Sequence, residues 1–410
     1  MDSNISINND RLWDSLMQMA KIGPGVAGGN NRQTLTEDDS KGRKLLQKWC
    51  EDAGMKMKVD QLGSMFFMRN GSQNDLLPVV IGSHLDTQPT GGKYDGVLGV
   101  LAGVEIIKTL NDLDIKTKRP IMLVNWTNEE GCRFAPALMA SSGYAGIADV
   151  KNILETKDSD GLVFKEELSK IGWNGSEKVG EQKMHCYFEL HIEQGPILEN
   201  ENIDIGVVTH GQGLKWLEIE LNGIEQHTGT TPMHVRKDAG LAMSMIIQEV
   251  NKIALNNLPN VVGSVGQIDV FPNSRNVIPG KTIFTVDFRS HLNDKLDKME
   301  KELNLIVEKI CTKMQIKFSI KQIGGFDPIE FDQNCIDHIR NAATKFGYSH
   351  KDIISGAGHD ACAINQVLPA AMIMCPCVNG ISHNEAEEIK KEWAFSSTNV
   401  LMHAAIEAAS

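Results

Sequence analysis

Histidine and carboxylate side chains recur along this sequence at positions a metal centre would need. The stretch Gly82-Ser-His84-Leu-Asp86-Thr-Gln-Pro-Thr-Gly-Gly-Lys-Tyr-Asp95-Gly96 carries His84 and Asp95, and the pair Glu129-Glu130 follows the apolar run Pro120 to Trp126. Two further histidines stand in Leu190-His191-Ile-Glu-Gln194-Gly and Gly380-Ile-Ser-His383-Asn-Glu. Zinc and related ions take imidazole nitrogen and carboxylate oxygen, and a pair of ions about 3.5 to 4 Å apart needs a carboxylate that can bridge them. His84, Asp95, Glu130, His191 and His383 supply that set. Asp86, two residues from His84 on an extended chain, lies on the same side and is placed to hold the other imidazole nitrogen. Neighbouring side chains at a strand end point in different directions, so one of Glu129 and Glu130 can bind metal while the other moves protons. Water beside a divalent ion ionises near neutral pH, and a free Glu can take its proton and pass it to a leaving amine. The chemistry these residues suit is metal-assisted hydrolysis.

The elements that must position them follow from hydrophobic patterning. Residues 11–21 and 40–53 carry apolar residues at helical spacing, with a polar, Gly-rich loop between them. Strands are expected at 76–81, 120–126 and 184–190 and a buried helix at 97–110, so that His84, Glu129, Glu130 and His191 fall at carboxyl ends of strands, where ligands gather in such sheets. Strands alternating with helices imply an α/β domain with a mainly parallel, mixed sheet flanked by helices. From about residue 214 the order becomes strand 215–221, helix 238–257, strand 261–270, strand 282–288, helix 294–315 and strand 316–323. That is the β-α-β-β-α-β order of a ferredoxin-like α+β unit, whose sheet should leave a face or edge open for dimerisation or for covering a site. The expected organisation is a catalytic domain of residues 1–213 and 329–410 with residues 214–328 inserted as a dimerisation or lid domain.

Composition restricts the partners. The chain of 410 residues has a formal charge of -12 and no basic run, which argues against nucleic acid. A small-molecule substrate fits better. No apolar segment approaches the roughly 18 residues needed to span a bilayer, so no membrane insertion is expected. The eight cysteines lack Cys-x-x-Cys spacing, and the beginning of the sequence lacks a basic end followed by an apolar stretch. The expectation is a cytoplasmic protein with reduced thiols. His185, His210, His338, His350 and His403 read as surface or core histidines. Gly23-Pro-Gly-Val-Ala-Gly28 matches a dinucleotide fingerprint formally but lacks the strand–turn–helix context. Cys375-Pro-Cys377 reads as buried structural cysteine.

These blocks resemble the hydantoinase/carbamoylase-type di-metal amidohydrolases, a family that includes N-carbamoyl-L-amino-acid hydrolases, β-ureidopropionases and allantoate amidohydrolases. The resemblance runs from about Arg11 to the C-terminus. It also takes in Asn128 to Phe134, Gln226-His227-Thr-Gly-Thr-Thr-Pro-Met233, Pro272-Asn-Ser-Arg-Asn276-Val-Ile-Pro279, Asp287-Phe-Arg289 and Ser355-Gly-Ala-Gly358-His359-Asp360. The resemblance implies a di-zinc aminopeptidase-like fold and two divalent ions per subunit, zinc first, with manganese, cobalt or nickel also suited. One ion would be held by His84 and His191, the other by Glu130 and His383, with Asp95 bridging and Glu129 as general base. It further implies a homodimer in which His227 and Asn276 reach the neighbouring subunit's site to stabilise the oxyanion, while Arg289 grips a substrate carboxylate. Gln194, Gly358 and His359 would finish the pocket. The implied reaction is hydrolysis of the ureido group of an N-carbamoyl amino acid, with allantoate or ureidoglycolate hydrolysis, peptide hydrolysis and a non-catalytic binding role as alternatives.

Overall fold

A computed structural model describes residues 5–410, and the chain divides into two compact units, Met1–Thr209 with Phe331–Ser410, and His210–Glu330. The division falls a few residues outside the expected boundaries, because strand Ile205–Gly211 runs almost directly into strand Gly213–Asn222.

The first unit is built on a mixed sheet in the order Lys56–Val59, Met65–Arg69, Ile121–Trp126, Val79–His84, Cys186–Ile192, Ala370–Cys375 and Ile205–Gly211. Its central pairs are parallel, Val79–His84 lying between Ile121–Trp126 and Cys186–Ile192, and Ala370–Cys375 beside Cys186–Ile192. The outer pairs are antiparallel. The central strands are buried along their whole length, so they are apolar runs rather than alternating ones. Helix Val97–Asp112 is likewise buried on almost every side. It can lie close on the sheet because glycines face it: a Cβ at Gly99 would stand 2.3 Å from the Leu190 carbonyl oxygen, and one at Gly103 would stand 2.5 Å from Leu123 Cδ1. Two strand positions differ from expectation. The strand expected at 76–81 begins after Pro78, at Val79, and ends on His84 itself; the one expected at 184–190 is Cys186–Ile192, which puts His191 inside the strand.

The second unit has a four-stranded antiparallel sheet in the order Lys317–Phe326, Gly213–Asn222, Lys281–Ser290 and Val261–Phe271. Helices Ala239–Asn256 and Asn293–Met314 cover one face, burying Leu217, Ile219, Leu221, Phe284, Val286 and Phe288. Each of those side chains stabilises the unit by about 1.5–3 kcal/mol through burial. Strand Lys281–Ser290 alternates strictly between buried and half-buried positions, which puts Asp287 and Arg289 together on the face opposite the helices. Among the described residues no helix is long and apolar enough to cross a membrane.

Candidate active site

A glycine beside the first histidine shapes the site. Gly96 has φ +66°, and a Cβ there would stand 2.3 Å from His84 Nε2. Its absence lets the chain turn from Asp95 into helix Val97–Asp112 directly against the imidazole. The Asp95 carboxylate therefore sits at the positive end of that helix, facing three histidines. Its Oδ1 lies 3.7 Å from His84 Nε2 and 2.9 Å from His191 Nε2. Its Oδ2 lies 3.4 Å from His383 Nε2, which in turn is 3.5 Å from Glu130 Oε2. Two ligand clusters result, His84–Asp95–His191 and Asp95–Glu130–His383, sharing Asp95.

The donor set fits divalent ions. His84 Nε2 is buried without any hydrogen-bond partner, while its Nδ1 lies 2.9 Å from the Asp86 carbonyl oxygen. His191 Nδ1 is fixed in the same way on the Ile192 carbonyl at 2.9 Å. Donating at Nδ1 leaves Nε2 as the electron pair a metal takes. Burial, only partly offset by Asp95, lowers the His84 pKa to about 4, so the ring is neutral. His191 is the reverse: burial opposes its charge, but Asp95 overrides it and raises the pKa to about 9. Burial likewise opposes the charge on Asp95, yet His191, His383 and His84 hold it well below the ordinary carboxylate range. In the metal-free protein a proton on His191 thus stands where cationic charge belongs, and metal uptake must displace it.

Glu129 and Glu130 are bracketed by two left-handed residues, Asn128 at φ +58° and Gly131 at φ +67°. The turn sends the carboxyls to different places. Glu129 Oε2 lies 3.5 Å from His84 Nε2, and Glu130 faces His383. Burial, joined by the charges of Asp360 and Glu130, raises the Glu129 pKa well above the ordinary range. Burial and Asp95 raise that of Glu130 to about 8.

The expectation for Asp86 needs correction. Its backbone carbonyl, not its carboxylate, holds His84; Oδ1 is 3.8 Å from Nδ1. The carboxylate instead accepts the backbone N–H groups of Glu129 at 3.4 Å and Glu130 at 3.3 Å, and so fixes the turn that carries both glutamates. Three contributors were not singled out from sequence. Gln88 donates to Glu130 Oε2 at 2.7 Å, Ser382 Oγ donates to Asp95 Oδ2 at 3.1 Å, and Glu387 accepts the Asp95 N–H at 3.1 Å. Nothing local marks them; only the adjacency of Gln88 to the His84–Asp86 run and of Ser382 to His383 hinted at them.

Gln194, in a left-handed conformation at φ +58°, donates from Nε2 to Asp95 Oδ2 at 2.9 Å, while its Oε1 is buried without a partner. The His359 ring centre lies 4.4 Å from that of His191, tilted by 59°, and its Nε2 lies 2.8 Å from Ser355 Oγ. A Cβ at Gly358 would meet only Leu138 Cδ1, at 3.5 Å, so the fold itself does not require glycine there. Cys375 and Cys377 are buried free thiols, and Cys377 Sγ accepts the Gln194 N–H at 3.1 Å.

In the second unit, pairing of Val277 with His227 brings His227 and Asn276 together, with the Thr228 N–H donating to the Asn276 carbonyl at 3.1 Å. His227 Nδ1 accepts the N–H groups of Gly229 at 3.0 Å and Thr230 at 3.2 Å, which leaves the ring proton on Nε2. Arg289 is forked onto Asp287, its Nε 3.2 Å from both carboxylate oxygens and its Nη2 2.9 Å from Oδ2.

Residues 80–407 match the model of peptidase family M20/M25/M40. The chain is 58% identical over 406 residues to an N-carbamoyl-L-amino-acid amidohydrolase of Rhizobium meliloti, covering 99% of this chain and 98% of the relative. It belongs to the hydantoinase/carbamoylase amidases of that family. A solved amidase of the hydantoinase/carbamoylase family from Burkholderia multivorans has the same fold, with a TM-score of 0.95, 48% identity and coverage of 99% of this chain and 98% of that one. An allantoate amidohydrolase of Bacillus subtilis is a more distant member, 30% identical over 93% of each chain.

Proposed function

We propose that this amidase hydrolyses the carbamoyl C–N bond of N-carbamoyl amino acids, L-α-amino acid or β-alanine derivatives, giving the amino acid, ammonia and carbon dioxide. The observation that carries the reading is the single Asp95 carboxylate turned by one oxygen to His84 and His191 and by the other toward His383 and Glu130, with Glu129 alongside. The choice of substrate is supported by the 58% identity to an N-carbamoyl-L-amino-acid amidohydrolase, against 30% for the allantoate enzyme.

His84 and His191 would hold one divalent ion and Glu130 and His383 the other, with Asp95 bridging; zinc is the first choice, and manganese, cobalt or nickel suit the same donors. Ions so held would supply polarisation of the carbamoyl oxygen and would make a water acidic near neutral pH. Glu129 Oε2 takes a proton from the attacking water as the water oxygen bonds to the carbamoyl carbon. It passes the proton to the leaving nitrogen as the C–N bond breaks, and the remaining carbamate loses carbon dioxide to free the amino acid. Glu129 Oε2, 3.5 Å from His84 Nε2, stands beside the metal ligands where it can accept that proton and return it. Asp86 keeps Glu129 and Glu130 in their separate places through their backbone amides. Gln194 Oε1 is available to a ureido N–H, and His359 and Gly358 are assigned to the substrate with it.

His227 and Asn276 are assigned as donors to the oxyanion and substrate in the active site of a second copy of the chain, the inserted unit serving as dimerisation and lid domain. The Nε2–H of His227, set by the amides on Nδ1, supports that role. Arg289, held in plane by Asp287, is assigned to the substrate carboxylate. An ammonia-release assay tests the reading, using N-carbamoyl-L-α-amino acids, N-carbamoyl-β-alanine, allantoate and dipeptides after chelation and metal add-back. Metal-restored turnover of a carbamoyl acid is expected; turnover of dipeptides or allantoate alone would overturn it.

A further inference from the structure

His383 differs from its fellow ligands. His84 and His191 are buried and fixed through Nδ1 on backbone carbonyls, whereas the His383 side chain is 51% exposed and its backbone stands at φ +51°. Its position must come from the loop that carries it. Two carboxylates within four residues anchor that loop. The Glu385 carboxylate is turned into the N-terminal Gly-rich segment, where Oε2 accepts the N–H groups of Ala27 at 2.5 Å and Gly29 at 3.1 Å and Oε1 accepts that of Val26 at 3.2 Å. A Cβ at Gly25 would stand 2.3 Å from Glu385 Oε2, so the segment is shaped around this carboxylate. The dinucleotide-like glycines of the sequence thus form a concave set of amides filled by the chain's own anion. The same segment is tied to the Asp95 side of the site, since Asn30 and Gly91 exchange N–H···O bonds of 2.9 Å each.

Glu387 works from the other direction. Its Oε1 accepts the N–H groups of Tyr94 at 3.0 Å and Asp95 at 3.1 Å, and a Cβ at Gly92 would stand 1.9 Å from that oxygen. Its Oε2 lies 3.3 Å from Ser382 Oγ, the hydroxyl that also reaches Asp95 Oδ2.

We propose that Glu385 and Glu387 are positioning residues that fix His383 against Asp95 and thereby create the second metal position, Asp95–Glu130–His383, without touching ion or substrate. Ligand distances in a metal site tolerate only about 0.2 Å, and removing a partner that orients a ligand typically weakens metal binding about 10- to 100-fold. The first position, His84–Asp95–His191, has its own buried supports in His84 and His191 and should be spared when Glu385 is changed. This inference rests on the two-ion reading, and the experiment separates them.

Chelated protein is titrated with Zn²⁺ by calorimetry, with bound zinc counted after gel filtration, for the wild type, Glu385→Ala, Glu385→Gln and Glu387→Gln. The wild type is expected to bind two ions. Glu385→Ala should weaken the second about 10- to 100-fold and leave the first unchanged. Glu385→Gln, which keeps an acceptor but loses the charge, should fall between, whereas Glu387→Gln, whose contacts reach the shared Asp95 as well as Ser382, should weaken both ions. A wild type binding one ion would overturn the two-ion reading and the inference with it. A two-ion wild type with an unaffected Glu385→Ala or Glu387→Gln, or a Glu385→Ala in which both ions weaken equally, would overturn this inference alone.

Discussion

Alanine at Gly96 changes the site by one methyl group placed against one ligand. The added Cβ would lie 2.3 Å from His84 Nε2, where an ordinary contact needs at least 3.4 Å, so the imidazole must retreat by about 1.1 Å. That is several times the roughly 0.2 Å a coordination distance tolerates. The ring has nowhere to go, being buried with Nδ1 held on the Asp86 carbonyl at 2.9 Å. The backbone adds a separate cost of about 1–3 kcal/mol for a side chain at φ +66°. Gly96→Ala should therefore lower the melting temperature of the metal-free protein modestly, but weaken the first ion by at least about 10- to 100-fold and reduce kcat/KM in step. Zinc titration with single-substrate kinetics checks this. A Gly96→Ala protein that binds two ions with wild-type affinity would refute the geometry on which the site is built.

Other outcomes follow from the same structure. Glu129→Gln should retain both ions while kcat falls by about 10²- to 10⁴-fold, the usual worth of a general base; turnover within a few-fold of wild type would remove Glu129 from that role. Arg289→Ala should raise KM for a carbamoyl acid with a smaller change in kcat, and an unchanged KM would show that the carboxylate is gripped elsewhere. The metal-free protein should lose stability as pH rises through 7 to 8. Burial raises the carboxyl pKa of Asp86 to about 7, of Glu387 to about 7 and of Glu130 to about 8, so the folded state keeps protons that the unfolded chain releases near pH 4. Chelated protein should melt at a lower temperature at pH 8.5 than at pH 6, and zinc should remove the difference; a melting temperature that rises across that range without metal would contradict the assignment.

What could be read from sequence was the set of donors, because each sits at or just beyond a strand whose apolar run is plain: His84 after Val79-Val-Ile81, Glu129 and Glu130 after Ile121 to Trp126, His191 within Cys186–Ile192. The topology of the inserted unit was legible for the same reason, its strands and helices differing in hydrophobic period. What was hidden depends on contacts between distant segments. Asp86 sits two residues from His84, which suggested a carboxylate–imidazole pair, yet its oxygens are drawn to the amides of a turn over forty residues away. Glu385 and the glycines near residue 25 are far apart in the chain, and the glycines alone resembled a nucleotide loop. Glu387 serves Asp95 through backbone amides, which leave no trace in residue type.

The claim that Asp95 bridges two ions is tested most directly by anomalous diffraction from crystals of the zinc-loaded protein. Two peaks are expected about 3.5 to 4 Å apart, one about 2.0–2.2 Å from His84 Nε2, His191 Nε2 and Asp95 Oδ1, the other at like distances from Asp95 Oδ2, a Glu130 carboxylate oxygen and His383 Nε2. A single peak, or a pair that leaves Asp95 bound to only one ion, would contradict it.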